Sequence, residues 1–451
     1  MRKSKRFLAI ISTAFLLGLA ACSGENNEAS TPEKEGTNSS SNEKTTLHLA
    51  ALESAYGSEM WTKIAKAFEE EHKNVSVELT VEKNIEEVVR PNMQAGEYPD
   101  VFHLATSRKE ALTETLIKED GLEELTDVLD MKVLGEDVVV KDKLLPGFTD
   151  TLATNPYADG KTFLAPMFYS PTGLFYNAGL FEEKGWDVPE TWDEMFELGE
   201  KAKGEGISLF TYPIAGYFDT LFGSMLYAAG GPYLFNKAMT YEDGIWESPE
   251  ATKVFETVGK LAEYTHPNTV ANGNPNDFTK NQQLVLDNKA LFMPNGTWIV
   301  DEMAEAPRAD GFKWAMMPVP AFEKDGDRYA FTFFEQIWIP KSAKNKEVAK
   351  EFIAFMYSDR AAAIFQEAGA IQPINGITDK LSDDDKVFYS VYDNGALPAM
   401  GTFASTKPVA GVNMGDTLYH QIDSVISGKL SVEKWQKSVE EASDKLRPAM
   451  N

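Results

Sequence analysis

Cysteine is almost absent from this chain: Cys22 is the only one. With no second thiol, no internal disulfide can form, so stability has to come from buried cores. Histidine is nearly as scarce, and His48, His72, His103, His266 and His420 are dispersed, with none three or four residues from another. That spacing gives no zinc site, the calcium-loop pattern is missing too, and neither a metal nor any other cofactor is expected. Phosphate-cradling glycine loops and the G-x-S-x-G nucleophile elbow are also missing. Positive charge is in deficit, with 43 basic residues against 70 acidic ones and a net charge of -27. No Lys/Arg run exists beyond the first six residues, so nucleic acid is not an expected partner. The one long apolar run, residues 7–19, is shorter than the roughly 20 residues a spanning helix needs. One chemistry survives these exclusions: a glycosidase needs only two suitably spaced carboxylates, and the acidic residues are plentiful.

That apolar run follows a basic head, Arg2, Lys3, Lys5 and Arg6, and ends in Leu19, Ala20, Ala21, Cys22. Basic head, apolar middle and small residues are the three parts of a secretory signal, here residues 1–21. The tetrapeptide resembles the lipobox of bacterial lipoproteins, whose cysteine is diacylglyceryl-modified and becomes the new N-terminus. Two acyl chains make a stable anchor where one is marginal. The resemblance implies a lipid-anchored protein on the outer face of a bacterial membrane, of Gram-positive type; an incidental thiol near an ordinary cleavage site is the alternative. Residues 22–44 are rich in Ser, Asn, Glu and Gly with no large apolar side chain, and read as a flexible tether.

Beyond Thr45 the pattern is that of a packed α/β chain. Residues 46–51 read as a strand, and 58–72 as a helix with Trp61, Ile64, Ala65 and Phe68 on one face. Val75, Val77, Leu79 and Val81 alternate as a second strand, and residues 100–105 form a third. Strands alternating with helices predict mostly parallel sheets with ligand loops beyond the strand ends, near 52–57 and 106–108. A second unit is expected after the turn-rich residues 155–160. Residues 163–176, interrupted by Pro166 and Pro171, read as a crossing segment rather than a central strand. Thr191, Trp192, Asp193, Glu194 form a capping box for a helix ended near Gly204. Residues 290–300 and 312–319 read as strands, and 348–357 as a helix packing Phe352, Ile353 and Met356 inward.

Several of these segments together resemble the family 1 extracellular solute-binding proteins, the sugar receptors of ABC importers. They are Tyr98, Pro99, Asp100, Val101, Phe102; the run from Pro156 to Lys161; Leu174 to Asn177; Thr191 to Glu194; Asn295, Gly296, Thr297, Trp298; and residues 337–352 with Ile339, Pro340 and Lys341. The resemblance implies an α/β, two-lobed periplasmic-binding-protein fold like that of maltose-binding protein, each lobe a discontinuous, mostly parallel sheet flanked by helices, with hinge strands between. The first lobe would comprise 45–164 and 321–371 and the second 165–320 and 372–451. The chain would cross between them near 165–173, 317–321 and 371–374. Residues 331–341 resemble receptors for N-acetylglucosamine, diacetylchitobiose and N-glycan fragments. Leu104 and Ser170 replace an aromatic and an acid of the maltose receptors.

A sugar presents an apolar C–H face and a rim of hydroxyls, so its receptor needs aromatic platforms beside polar groups. By resemblance Trp298 would stack on sugar, against a core role as the alternative; Tyr217 is a second cleft aromatic or a half-buried structural tyrosine. Asp219 would accept hydroxyl protons or cap a helix. Arg108 would fork onto vicinal hydroxyls or form a surface salt bridge. Glu335, amid Phe333, Phe334, Gln336 and Trp338, is either a desolvated ligand contact or a loop-edge charge. Tyr56, Ser107, Tyr169, Ser170 and Asn413 complete the candidate set. Phe210, Phe222 and Phe235 are expected in the core. The implied function is capture of a carbohydrate by hinge closure and its delivery to membrane permease subunits by a monomeric, non-enzymatic receptor. A surface glycosidase using Asp219 and Glu335, or a protein binding peptide or wall polymer, are the alternatives.

Overall fold

The computed structural model describes residues 44–450 apart from Ala55, Ser107, Lys109, Asp150, Ala158 and Ser405. The signal segment, Cys22 and all of the tether but its last residue lie outside the described residues. Nine strands make one sheet: β1 (Thr45–Leu52), β2 (Val75–Glu82), β3 (Val101–Ala105), β4 (Ala165–Asn177), β5 (Ser208–Phe210), β6 (Ala290–Gly296), β7 (Trp314–Met317), β8 (Tyr329–Trp338) and β9 (Leu397–Ala399). The hydrogen-bonded order is β2-β1-β3-β8-β4-β6-β5, with β7 on β4 and β9 on β8.

The first strands form as their patterns predict. β1 lies between β2 and β3, parallel to both, and its apolar residues are buried on either face. β2 is an edge strand, so of its alternating valines and leucine only Val75 is fully buried, while the others pack partly against the core. The helix Glu59–Glu71 buries Trp61, Ile64, Ala65 and Phe68, the face its periodicity assigns. Asp100, just ahead of β3, is buried and accepts from the amides of His48 (3.0 Å), Lys344 (3.2 Å) and Asn345 (2.9 Å) and from Asn345 Nδ2 (3.1 Å). One carboxylate thereby fastens β1 to the entrance of the helix Lys346–Met356, which gives the Tyr98, Pro99, Asp100 run its structural reason.

Antiparallel pairing is confined to ladders that include β4 or β8, while β1, β2, β3 and β5, β6 keep the parallel pattern. Here the proline-interrupted segment departs from expectation. β4 is a 13-residue strand in the middle of the sheet, and it is also the crossing. Pro166 is tolerated because the β4–β8 register slips between Pro166 and Phe168, breaking the ladder beside it, whereas Pro171 stays in register opposite Thr332. The strand expected over 290–300 ends at Gly296, and a short helix, Ile299–Glu302, follows the turn.

Two large hydrophobic cores flank the crossing strands. The first gathers Leu47, Trp61, Phe68, Phe168, Ile337, Phe352 and Phe365; the second gathers Trp192, Phe210, Phe222, Phe235, Trp246 and Trp435. β4 serves both, with Phe168 and Phe175 in the first and Leu174 and Tyr176 in the second. β8 does likewise, from Tyr329 in the second to Ile337 in the first. The other expected crossings shift accordingly. Val319 and Ala321 belong to the second core and Ala321 bridges Thr191, so the chain returns along β8 rather than at 317–321. Ile371 accepts from the Tyr169 amide (3.0 Å) on the first side, and Phe388 and Tyr389 still pack there, so the last passage comes at β9 instead of 371–374.

Candidate ligand-binding cleft

Strand alternation sets the cleft. Along β8, Phe331, Phe333 and Glu335 project to one side, and Phe333 is 44% exposed while its neighbour Phe334 is 4% exposed in the first core. Phe333 packs on Trp298, ring centroids 5.5 Å apart, and Trp298 is itself 36% exposed. Trp298 Nε1 donates to the Tyr217 hydroxyl at 3.3 Å, and their centroids lie 6.4 Å apart. Three aromatic rings from three elements thus form one accessible surface. Its local cause is Gly296: a Cβ there would overlap the Trp298 ring, so only glycine lets the indole fold back over the strand end.

Phe333 also borders a cavity of about 110 Å³ lined by Tyr56, Thr106, Phe168, Ser170 and Glu335, with Ala105, Tyr169 and Phe334. This is well below the roughly 300 Å³ at which small-molecule pockets begin, so the cavity is one wall of a cleft rather than an enclosure. Tyr56 packs edge-on against Phe168 (5.3 Å), and burial, reinforced by the Glu335 charge, holds its phenol far above the ordinary tyrosine range. Glu335 is a diagonal neighbour of His103 across the β3–β8 ladder, its Oε2 3.1 Å from His103 Nε2. The pair is close but poorly aligned, and both atoms are buried without a formal hydrogen-bond partner.

Asp219 lies two residues beyond Tyr217, in the first turn of the helix Phe218–Met239. Water still reaches it, but crowding by the surrounding protein pushes its carboxyl up to about 6, against the Thr220 amide, which donates to it at 2.6 Å and pulls the other way.

The structure thus brings together Tyr217 with Trp298, and, around one cavity, Tyr56, Tyr169, Ser170, Phe334 and Glu335. Tyr169 and Phe334 contribute from within the core: Tyr169 is buried against Phe148 (5.2 Å) and Tyr389 (5.1 Å). Three candidates are engaged in structural hydrogen bonds. Arg108 forks onto the buried Glu86 (Nη2 to Oε2 2.8 Å) and onto the Lys83 carbonyl (3.1 Å), so it is a salt-bridge residue whose charge is already met. Gln336 is buried and donates to the Ala153 carbonyl, because its position on β8 faces away from Glu335. Asn413 caps the helix Met414–Leu418, accepting from the Asp416 amide at 2.9 Å. Ser107 lies outside the described residues. Phe333, Phe168 and His103 were missed as site residues. Strict two-residue alternation counted from Glu335 would have found Phe333.

Among the described residues one acidic trio, Asp243, Glu440 and Asp444, is close enough to share a metal ion, but Arg447 reaches all three, at 2.8, 3.6 and 2.7 Å, and none lines the cavity. No helix among them is long and apolar enough to cross a membrane.

A family model described as bacterial extracellular solute-binding protein matches residues 63–389. The diacetylchitobiose binding protein NgcE of Streptomyces coelicolor is 28% identical over 372 residues, covering 78% of this chain and 76% of the relative. The maltodextrin-binding protein MdxE of Bacillus subtilis is 25% identical over 397 residues, 85% of this chain and 84% of the relative. Among solved structures, the bacterial solute receptor AcbH, whose substrate preference is for β-D-galactopyranose, superposes with a TM-score of 0.68 at 19% identity, covering 90% of this chain and 98% of that one.

Proposed function

The chain belongs to the bacterial extracellular solute-binding proteins, and on that premise we propose that it is the carbohydrate receptor of an ABC importer, held to the outer face of the membrane through Cys22. The observation that carries this reading is the accessible Tyr217, Trp298, Phe333 surface beside a cavity edged by Glu335. Aromatic faces match the C–H side of a pyranose, and the carboxylate matches its hydroxyl rim. Binding requires no bond to be made or broken. The partners are the permease subunits, with a separate ATPase, and the receptor acts as a monomer. The two lobes meet along β4, β8 and β9, and a sugar touching both sides favours the closed form by its differential affinity.

The likeness to a diacetylchitobiose binding protein supports an N-acetylglucosamine-containing oligosaccharide as cargo. The test is the melting temperature of the chain without its first 22 residues, all described structure beginning at Lys44. Diacetylchitobiose, N-glycan fragments, maltodextrins, raffinose and xylo-oligosaccharides form the panel. Ligand at 100 times its dissociation constant adds about 2.7 kcal/mol. A shift with one sugar class supports the receptor and names its cargo; a shift only with peptide or wall polymer removes the carbohydrate assignment.

A further inference from the structure

Four buried polar atoms around the cavity have no hydrogen-bond partner: Oε2 of Glu335, both ring nitrogens of His103 and the Tyr169 hydroxyl. Unpaired buried polar groups are rare because each costs the free energy of its lost hydration. His103 is fully buried, with Trp61 (4.8 Å) and Phe168 (5.2 Å) packed on its ring, so it is fixed in place. Its Nε2 stands 3.1 Å from the inner oxygen of Glu335, whose side chain keeps 16% of its surface exposed and lines the cavity. The carboxylate is therefore backed by an imidazole and presents its remaining surface to the cleft.

The charge around it is one-sided. The cavity's described lining contains no lysine or arginine. Arg108 is within electrostatic reach of Glu335 but spends its fork on Glu86. Asp219, two residues from Tyr217 and within electrostatic reach of its phenol, adds a second carboxyl on that side. Such a cleft accepts hydrogen bonds and offers no described cation to a carboxylate, sulfate or phosphate.

We propose that Glu335, positioned by His103, is the specificity determinant of the cleft, selecting neutral, hydrogen-bond-donating sugars and rejecting acidic ones. The inference rests on the carbohydrate reading above. Glu335 contacts the ligand; His103 is a positioning residue acting through it.

The experiment measures dissociation constants by calorimetry for a neutral set (diacetylchitobiose, maltotriose, raffinose) and an acidic set (digalacturonate and a disaccharide of glucuronate and N-acetylglucosamine). The expected result is that wild type binds a neutral sugar and binds every acidic one at least about tenfold more weakly. Glu335→Gln weakens the neutral sugar about tenfold or more and narrows the neutral-to-acidic ratio. Glu335→Asp keeps the charge and therefore the ratio while losing affinity. His103→Leu behaves as Glu335→Gln, and His103→Gln, which restores a donor, recovers the ratio. The ratio is the decisive readout, since general loosening of the fold lowers both affinities together. An acidic sugar bound as tightly as a neutral one, or a ratio unchanged in Glu335→Gln, overturns the proposal while the receptor reading stands. A ratio unchanged in His103→Leu removes the positioning role of His103. Failure of wild type to bind any sugar in either set overturns the carbohydrate reading and this inference with it.

Discussion

A glycine that never touches the ligand decides whether the cleft has its central aromatic. Gly296→Ala would drive the Trp298 ring off the strand end, so it is expected to lower sugar affinity as much as Trp298→Ala. That loss is roughly 5- to 30-fold, about 1–2 kcal/mol of stacking and apolar contact. Titration calorimetry checks the loss, and tryptophan fluorescence of the Gly296 variant checks the displacement. Trp298→Ala should hardly move the melting temperature, because the side chain is already 36% exposed. Asp219 gives a prediction of the opposite kind. Its folded-state carboxyl titrates at about 6, above the roughly 3.9 of an unfolded chain. Between those values the folded protein holds a proton that the unfolded one has lost, so this group makes stability fall as pH rises from about 4 to about 6. Asp219→Asn should flatten that part of the profile and raise the melting temperature above pH 6. A scan from pH 4 to 7 in which the variant and wild type run parallel would remove the crowding argument.

Elements were legible where a local rule governs them. The Thr191 box is complete: its hydroxyl accepts from the Glu194 amide at 3.2 Å and the Glu194 carboxylate accepts from the Thr191 amide at 3.3 Å. Thr191→Ala should cost about 1 kcal/mol in urea unfolding, with sugar affinity unchanged. Asp100→Ala should cost more, about 2–3 kcal/mol, because it removes the buried acceptor of four hydrogen bonds at once. The helix face of Trp61, Ile64, Ala65 and Phe68 and the strands before Ala105 could be read in the same way, from periodicity alone. The centre of the sheet could not. β4 carries prolines that a local rule banishes from central strands, and the long-range slip of its pairing with β8 accounts for Pro166. The site was half legible for a related reason. Phe334 was named as a site residue and Phe333 was not, although both line the cavity: neighbours on a strand face opposite sides, so Phe334 reaches it from the core and Phe333 from the cleft. The two readings of Arg108, sugar fork or salt bridge, stayed open because its partner, Glu86, is 22 residues away and no pattern announces the pairing.

At the scale of the molecule, the two-lobed α/β architecture expected from the family resemblance is what the solved relatives share. Where the chain passes between its cores was set by contacts no local window contains, and three strands, β4, β8 and β9, do that work. Closure around a sugar should therefore be a bending of paired strands with both cores intact. Small-angle scattering with saturating ligand should show a smaller radius of gyration, while backbone amides in β4 and β8 keep their hydrogen-exchange protection. Loss of protection there on binding would argue for local melting instead.

The placement of β1 has a mechanical consequence. Any pull arriving from the N-terminal side enters the fold at Thr45, on a strand held in eight-residue register by β2 and clasped on its other edge by β3, both running parallel to it. Force along that strand loads its ladders in shear, all at once, instead of unzipping them one by one. Resistance to forced opening is a matter of unfolding rate rather than equilibrium stability. A receptor tethered at this end would meet drag at a strand that must shear before it can peel, with the cavity residues Tyr56 and Ala105 just beyond the loaded ladders.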